Sequence, residues 1–150
     1  MALIGQGVIL GGAEQELKEF LEKSGIPAAS TLLGLSALPS DHPQYVGMLG
    51  MHGNYGPNIK NRDCDLLIAI GMRFDDRVTG DASQFGINAK IIHLEIDPAE
   101  VNKLVYADVP VIGDVKQTLP MLTEKVAKND HSAWLNEFRV CYNIEREDII

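Results

Sequence analysis

The sequence predicts an α/β fold with a doubly wound, mostly parallel sheet of Rossmann-like type, on three observations. Short apolar runs alternate with amphipathic stretches of about a dozen residues, the pattern of βαβ units joined by right-handed crossovers. The run Leu66–Ile70 is unbroken in apolar side chains, which fits a strand covered on both faces rather than one facing water. Gly71 ends that run, and Arg73, Asp75, Asp76 and Arg77 follow at once, at the carboxyl end of the strand, where open α/β sheets place their ligands.

The totals narrow the class. With 150 residues and 45% hydrophobic content the chain has the size of one globular domain with a real core. A formal charge of -8 lacks the basic footprint of nucleic-acid binding or of attachment to an anionic membrane surface. Two cysteines, Cys64 and Cys141, stand far apart with no metal-ligand spacing, so no metal site is expected and a reduced setting fits. No apolar run approaches the roughly 20 residues of a membrane span, and the N-terminus lacks the charged region of a secretory signal. The expected setting is the cytoplasm, and the expected partners are small molecules or proteins.

The chain opens on a first strand at Ala2-Leu3-Ile4, followed by Gly5-Gln6-Gly7. Residues 13–24 carry Ala13, Leu17, Phe20 and Leu21 at helical spacing, with Gly25 placed to end an amphipathic helix. Residues 26–31 form a second strand. Residues 32–58 are rich in Gly, Pro, Asn and His without clear periodicity, and read as a long ligand-facing loop with a short helix near residues 57–62. After the third strand, Leu66–Ile70, residues 80–89 are irregular and residues 90–96 form a fourth. Asp97-Pro98-Ala99-Glu100 has the N-cap, proline and acidic residue of a capping box, predicting a helix start. Val109–Ile112 is a fifth strand, which Pro110 assigns to a sheet edge. Gly113-Asp114 and Gln117 repeat the strand, turn and capped-helix logic, with Pro120 early enough in that helix to be tolerated. Trp134, Phe138, Cys141 and Tyr142 mark a last helix, and residues 143–150 trail off charged, like a linker. The expected organisation is one domain over residues 1–130, then a C-terminal helix and the start of a linker over 131–150.

Several positions carry double readings. Gly5-Gln6-Gly7 has the opening of a dinucleotide fingerprint, in which glycines let backbone approach a pyrophosphate, but Leu10 stands where the third glycine belongs and no acidic residue ends the second strand. A plain NAD site is disfavoured, and a tight turn is the alternative. Asp97 and Asp114 fit helix caps as well as ribose or phosphate contacts, while Glu95 sits in an apolar run with no structural excuse. Met51 and His52 lie between glycines, a setting that suits packing on a flat ring. Neither His52 nor His93 has a serine or cysteine nearby to activate, so nucleophilic catalysis is unsupported. Arg73 and Arg77 either pair with Asp75 and Asp76 or stand ready for a diphosphate or carboxylate. Residues alone lead to a phosphate-bearing ligand, a dinucleotide in the first instance, with no chemistry of the chain's own.

Three runs go further: Leu49-Gly50-Met51-His52-Gly53, then Gly71-Met72-Arg73-Phe74-Asp75-Asp76-Arg77-Val78-Thr79-Gly80, then Glu95-Ile96-Asp97-Pro98-Ala99-Glu100. With them the chain closely resembles the acetolactate synthase (acetohydroxyacid synthase) large-subunit family, over nearly its whole length. The resemblance is to the central domain of that thiamine-diphosphate enzyme, a Rossmann-like domain of the NAD/FAD-binding type that binds FAD in the family. Gln6 departs from it, standing where the family usually has another glycine.

The resemblance implies a site residue by residue. Gly5 and Gly7 would form the first turn at the cofactor, with Thr31, Leu32 and Gly34 as a backbone wall beside the flavin. Leu49, Gly50, Met51 and His52 would lie near the flavin ring, and Gly71, Arg73 and Val78 would make the central FAD contacts. Glu95, Ile96, Gly113 and Asp114 would stand at the adenosine end, and Arg77 would hold the carboxylate of the second 2-oxoacid. In the family, pyruvate is decarboxylated on thiamine diphosphate with magnesium and condensed with a second 2-oxoacid, for branched-chain amino-acid synthesis. The flavin is largely structural, and the chain holds no catalytic residue of its own. Its implied partners are the other domains of the same polypeptide, further copies of the large subunit in a homo-oligomer, and a regulatory small subunit. The alternatives are a stand-alone nucleotide-binding module and the middle domain of an FAD oxidase such as pyruvate oxidase.

Overall fold

The computed structural model describes residues 1–148. Its centre is one sheet of six parallel strands in the order β3-β2-β1-β4-β5-β6: β1 Ala2–Ile4, β2 Ala28–Ser30, β3 Tyr45–Met48, β4 Leu66–Ile70, β5 Lys90–Glu95 and β6 Val109–Ile112. The order reverses between β1 and β4, and that switch point is where such sheets open a crevice beyond their strand ends. The helices are α1 Gln6–Leu10, α2 Glu14–Ser24, α3 Tyr55–Asp63, α4 Asp76–Thr79, α5 Val115–Lys125 and α6 Ser132–Asp148.

Side chains alternate across the sheet, as the two-residue period of a strand requires, and both faces are apolar. Ile4, Ile68, Ile70 and Leu94 pack with Val8, Leu17, Phe20, Leu21, Val115 and Leu119, so α1, α2 and α5 cover one face. Leu3, Leu67, Ala69 and Ile91 pack on the other with Met72, Phe74, Phe85 and Phe138. On this side α3 and α6 lie against each other, with Gly56 close enough that a β-carbon there would come within 3.3 Å of Cys141. The unbroken run in β4 is thus explained by burial from both sides, only Leu66 at its start being exposed.

Local chemistry sets the element ends. Gly25 closes α2. Asp114 caps α5 by accepting from the Lys116 amide at 3.0 Å, and that helix runs through Pro120 to Lys125. β6 lies at the sheet edge, as Pro110 requires. Among the described residues no helix is long and apolar enough to cross a membrane.

Three expectations are corrected. The 32–58 segment is not all loop and short helix: it holds an edge strand, β3, so the runs expected as third, fourth and fifth strands are β4, β5 and β6. β3 has only four residues, includes Gly47, and joins β2 through a register shift, so it shows no alternation to read. The capping box at Asp97 produces a single 3-10 turn, Pro98–Glu100, rather than an α-helix. Asp97 does accept from the Ala99 amide at 2.9 Å, but Val101 is already extended and Glu100 reaches toward Lys103 at 3.6 Å instead of back to the cap. Finally, α6 continues through Asn143 to Asp148, where a linker was expected; residues 149–150 of that stretch lie outside the described residues.

Candidate functional site

All six strands run in one direction, so their carboxyl ends form one rim, and every site residue that the family resemblance implies lies on it. Gly5 and Gly7 follow β1; Thr31, Leu32 and Gly34 follow β2; Leu49, Gly50, Met51 and His52 follow β3. Gly71, Arg73, Arg77 and Val78 follow β4, Glu95 ends β5 with Ile96 next, and Gly113 and Asp114 follow β6. Residues up to 109 positions apart in sequence, Gly5 to Asp114, are gathered by topology alone.

The centre of the rim is backbone. The Gly5 amide donates to Ile70 O at 2.9 Å, and the Gly7 amide to Gly71 O at 2.8 Å. A β-carbon on Gly5 would collide with Gly71 O, one on Gly7 would lie 2.8 Å from the Gly71 α-carbon, and one on Gly34 would collide with Ile4 O. Side chains cannot exist at these places, so the switch point is left as bare main chain, open to a polar ligand that needs close approach. Thr31 fixes the adjoining turn, its hydroxyl accepting from the Gly34 amide at 3.2 Å. Leu32 and Leu33 stand beside it, 65% and 60% exposed, as does Leu10 at 77%. Leu10, in the place of the third fingerprint glycine, is thus mostly in solvent rather than packed into the fold.

At β5 the lone carboxylate has its excuse. Glu95 is buried, and its Oε1 accepts from the amides of Ile96 at 3.0 Å and Asp97 at 3.2 Å. Its Oε2 lies 3.7 Å from His93 Nε2. His93 is fully buried, its Nε2–H donates to Met72 O at 2.6 Å, and its ring packs edge-on to Phe74 at 4.9 Å. The pair ties the end of β5 to the segment leaving β4, a connection with no sequence signature beyond two polar residues in an apolar strand. Asp114 is spent on its helix cap, while Gly113 continues from β6 with its amide donating to Glu95 O at 3.0 Å.

The charged cluster after β4 does not neutralise itself. Asp75 caps α4, its Oδ1 accepting from the amides of Arg77 and Val78 at 3.1 Å each. Arg73 and Arg77 are both exposed, and among the described residues neither makes an ion pair. Arg77, Val78, Gly50 and Met51 border a cleft of about 340 Å³, with Asn58, Asn61, Gln84 and Phe85 on its other sides. Asp81 also lines it; hydrogen bonds from the Ser83 hydroxyl and amide hold its carboxyl below the usual range. Met51 is 72% exposed and His52 is exposed beside it. Nearby Cys64 is buried with its thiol donating to Asn61 O at 3.2 Å, and burial raises its pKa, as expected of an unreactive thiol. Sequence reasoning missed Asn54, Asn58 and Asn61, which line up on α3 behind the 49–53 loop; their spacing of four and three residues was the available signal.

A parallel sheet in the order 3-2-1-4-5-6, with bare glycine backbone at its switch point, defines a Rossmann-like α/β domain. Its family is more specific. Residues 1–122 match the family described as thiamine pyrophosphate enzyme, central domain, and the chain belongs to that family. It is similar to the probable acetolactate synthase large subunit of Methanocaldococcus jannaschii, 48% identical over 136 residues that cover 89% of this chain and 23% of that protein. To the acetolactate synthase isozyme 2 large subunit of Escherichia coli it is 46% identical over 140 residues, 91% of this chain and 26% of that protein. To the acetolactate synthase large subunit of Corynebacterium glutamicum it is 45% identical over 138 residues, 89% and 22%. The chain thus spans about a quarter of the length of the curated relatives it matches.

Proposed function

We propose that this chain is the central, FAD-binding domain of an acetolactate synthase large subunit, and that its role is to hold a flavin and to present Arg77 to a reaction centre completed by other domains. The single observation that carries the proposal is the convergence of six strand ends on one rim whose middle, Gly5, Gly7, Gly34 and Gly71, has no room for side chains.

The residues on the rim fit a dinucleotide. The glycine backbone at the switch point takes the pyrophosphate, with Arg73 exposed alongside to neutralise it. Glu95, its Oε1 fixed by two amides, stands with Ile96, Gly113 and Asp114 at the adenosine end. Thr31, Leu32 and Gly34 on one side, and Leu49, Gly50, Met51 and His52 on the other, wall the isoalloxazine ring with backbone and apolar surface. Val78 is half-buried, and its α-carbon lies 3.7 Å from where a β-carbon on Gly50 would sit.

By the family resemblance, thiamine diphosphate with magnesium supplies the carbanion chemistry that condenses pyruvate with a second pyruvate or 2-oxobutyrate, in branched-chain amino-acid synthesis. This chain's part is positioning. Arg77, without an ion pair among the described residues and at the edge of a cleft, is suited to grip the carboxylate of the second 2-oxoacid through two parallel hydrogen bonds. The proposed setting is a cytoplasmic homo-oligomer with a regulatory small subunit.

The test is titration of the 150-residue chain with FAD, FMN and NAD, followed by flavin fluorescence and equilibrium dialysis. FAD is expected to bind best but weakly, with a dissociation constant on the order of 10–100 μM, because contacts from other domains are missing. Equal or better binding of NAD would overturn the reading, and FAD retained through gel filtration would overturn the expectation of weak binding.

A further inference from the structure

The cleft beside Arg77 is held open by a helix that contributes none of the rim residues. Asn54 at the N-cap, and Asn58 and Asn61 within α3, each accept through the side-chain oxygen from a backbone amide outside the helix. Asn54 stands at the N-cap of α3 but makes no capping bond with its side chain, accepting instead from the Met48 amide at 2.8 Å. Asn61 accepts from the Gly86 amide at 3.3 Å. Asn58 makes two bonds to one residue: its Oδ1 accepts from the Gly50 amide at 3.0 Å and its Nδ2 donates to Gly50 O at 2.9 Å. That is the reciprocal pairing one strand residue gives another.

Gly50 is the point at which this pairing reaches the site. Its φ of +123° excludes an ordinary side chain, and a β-carbon there would sit 3.1 Å from Arg77 O. The next amide, of Met51, donates to that same Arg77 carbonyl at 2.8 Å. A continuous path of bonds therefore runs from Asn58 through Gly50 and Met51 to Arg77, and all four residues line the cleft. We infer that Asn58 is a positioning residue: it sets the 49–53 loop against α4 and so fixes the place of Arg77 relative to the proposed flavin wall. The relevance to ligand rests on the proposed function, whereas the positioning itself does not.

An asparagine that merely stabilised the fold would act on every amide alike. Amide hydrogen exchange on the whole chain separates the two roles. Asn58→Ala is expected to speed exchange at Gly50 and Met51 by about tenfold, the worth of a lost hydrogen-bond pair, with β1 and β4 amides unchanged. Asn58→Asp keeps the acceptor for the Gly50 amide and loses the donor, so its Gly50 protection should fall between wild type and alanine. Gln15→Ala, exposed on α2 at the other face of the sheet, should leave both amides as they are. Met51 protection unchanged in Asn58→Ala, or a loss spread evenly through β1 and β4, would overturn the inference. FAD titration supplies a second arm, in which Asn58→Ala should weaken binding by roughly fivefold to tenfold. If the wild-type chain binds FAD and the variant binds it equally, the positioning role toward ligand fails. If the wild-type chain binds no FAD, the proposed function fails, and the exchange rates still decide the role of Asn58.

Discussion

The amide of Gly7 donates to the carbonyl of Gly71 at 2.8 Å, joining the turns that follow β1 and β4 across the reversal of strand order. Gly71 holds a φ of +61°, and a β-carbon on it would lie 2.9 Å from both the Gly7 α-carbon and the Val8 nitrogen. Gly71→Ala therefore meets two costs at once, left-handed strain of about 1–2 kcal/mol and overpacking of about 1–3 kcal/mol. The expected loss is about 2–5 kcal/mol in urea unfolding, together with loss of the proposed FAD binding. By contrast Gly12, with open space around it, should tolerate alanine at about 1 kcal/mol, from its φ of +63° alone.

The burial of His93 gives a second expectation. One ring nitrogen is bonded to Met72 O and the other, Nδ1, is buried without a partner among the described residues. His93→Ala would leave Met72 O unpaired and a cavity beside Phe74, and is expected to cost about 2–4 kcal/mol. Because Met72 leads directly into Arg73, the same variant should also weaken the proposed FAD binding. If it unfolded at the wild-type urea midpoint, His93 would not be the tie between β5 and the segment after β4.

How much of this was legible depends on whether a feature is local. β4 was readable because burial on both faces forces a continuous apolar run, and α5 because Asp114 caps it with nearby groups. Of the rim positions, Gly5, Gly7, Gly71, Arg73, Arg77, Glu95, Gly113 and Asp114 stood out as glycines and charges at strand ends, whereas Thr31, Leu32, Gly34, Val78 and Ile96 were reached only through the family resemblance. β3 was not: its half-buried edge position, its Gly47 and its register shift all remove the alternation by which strands are recognised. The capping box at Asp97 misled because capping satisfies only the first turn, and the residues beyond it must still favour helix. Val101 is extended and Asn102 has a φ of +62°, so the β5 to β6 connection stays tight. Asn54, Asn58 and Asn61 offered only their spacing as a signal, because their partners, Met48, Gly50 and Gly86, are backbone groups that could only be assigned with coordinates.

Prepared as a separate 150-residue polypeptide with a free amine on Met1, the chain should show a pH dependence. Met1 is 3% exposed, and its ammonium donates to Leu66 O at 2.8 Å. Burial lowers its pKa from 8.0 to about 6, against a smaller opposing pull from Cys64 and Asp65. A base whose folded pKa lies below its unfolded one binds fewer protons when folded. Stability from this group is therefore complete above about pH 8 and is lost as pH falls through about 6. The loss should be about 2–3 kcal/mol between pH 8.5 and 5.5, read from urea unfolding. Acetylating the amine removes the titration, so the acetylated chain should show a smaller loss over that window. Identical pH profiles for the two forms would reject the assignment.

A last expectation concerns catalysis by the chain alone. The 150 residues contain no Gly-Asp-Gly followed by Asn-Asn, the metal-diphosphate signature implied for the parent family, and they span about a quarter of the relatives' length. On the proposed function Arg77 would hold a carboxylate and the glycine rim a flavin, and neither role would form or break the carbon–carbon bond of the condensation. Incubated with pyruvate, thiamine diphosphate, magnesium and FAD, the chain should yield acetolactate at no more than the rate without protein. Adding the remaining domains in trans should restore activity only if Arg77 is intact, with Arg77→Lys weaker because an ammonium cannot make the paired bonds. Acetolactate formed by the chain alone would show that it carries catalytic groups of its own. Full activity of the reassembled Arg77→Ala protein would remove the role of that side chain as the grip on the second oxoacid.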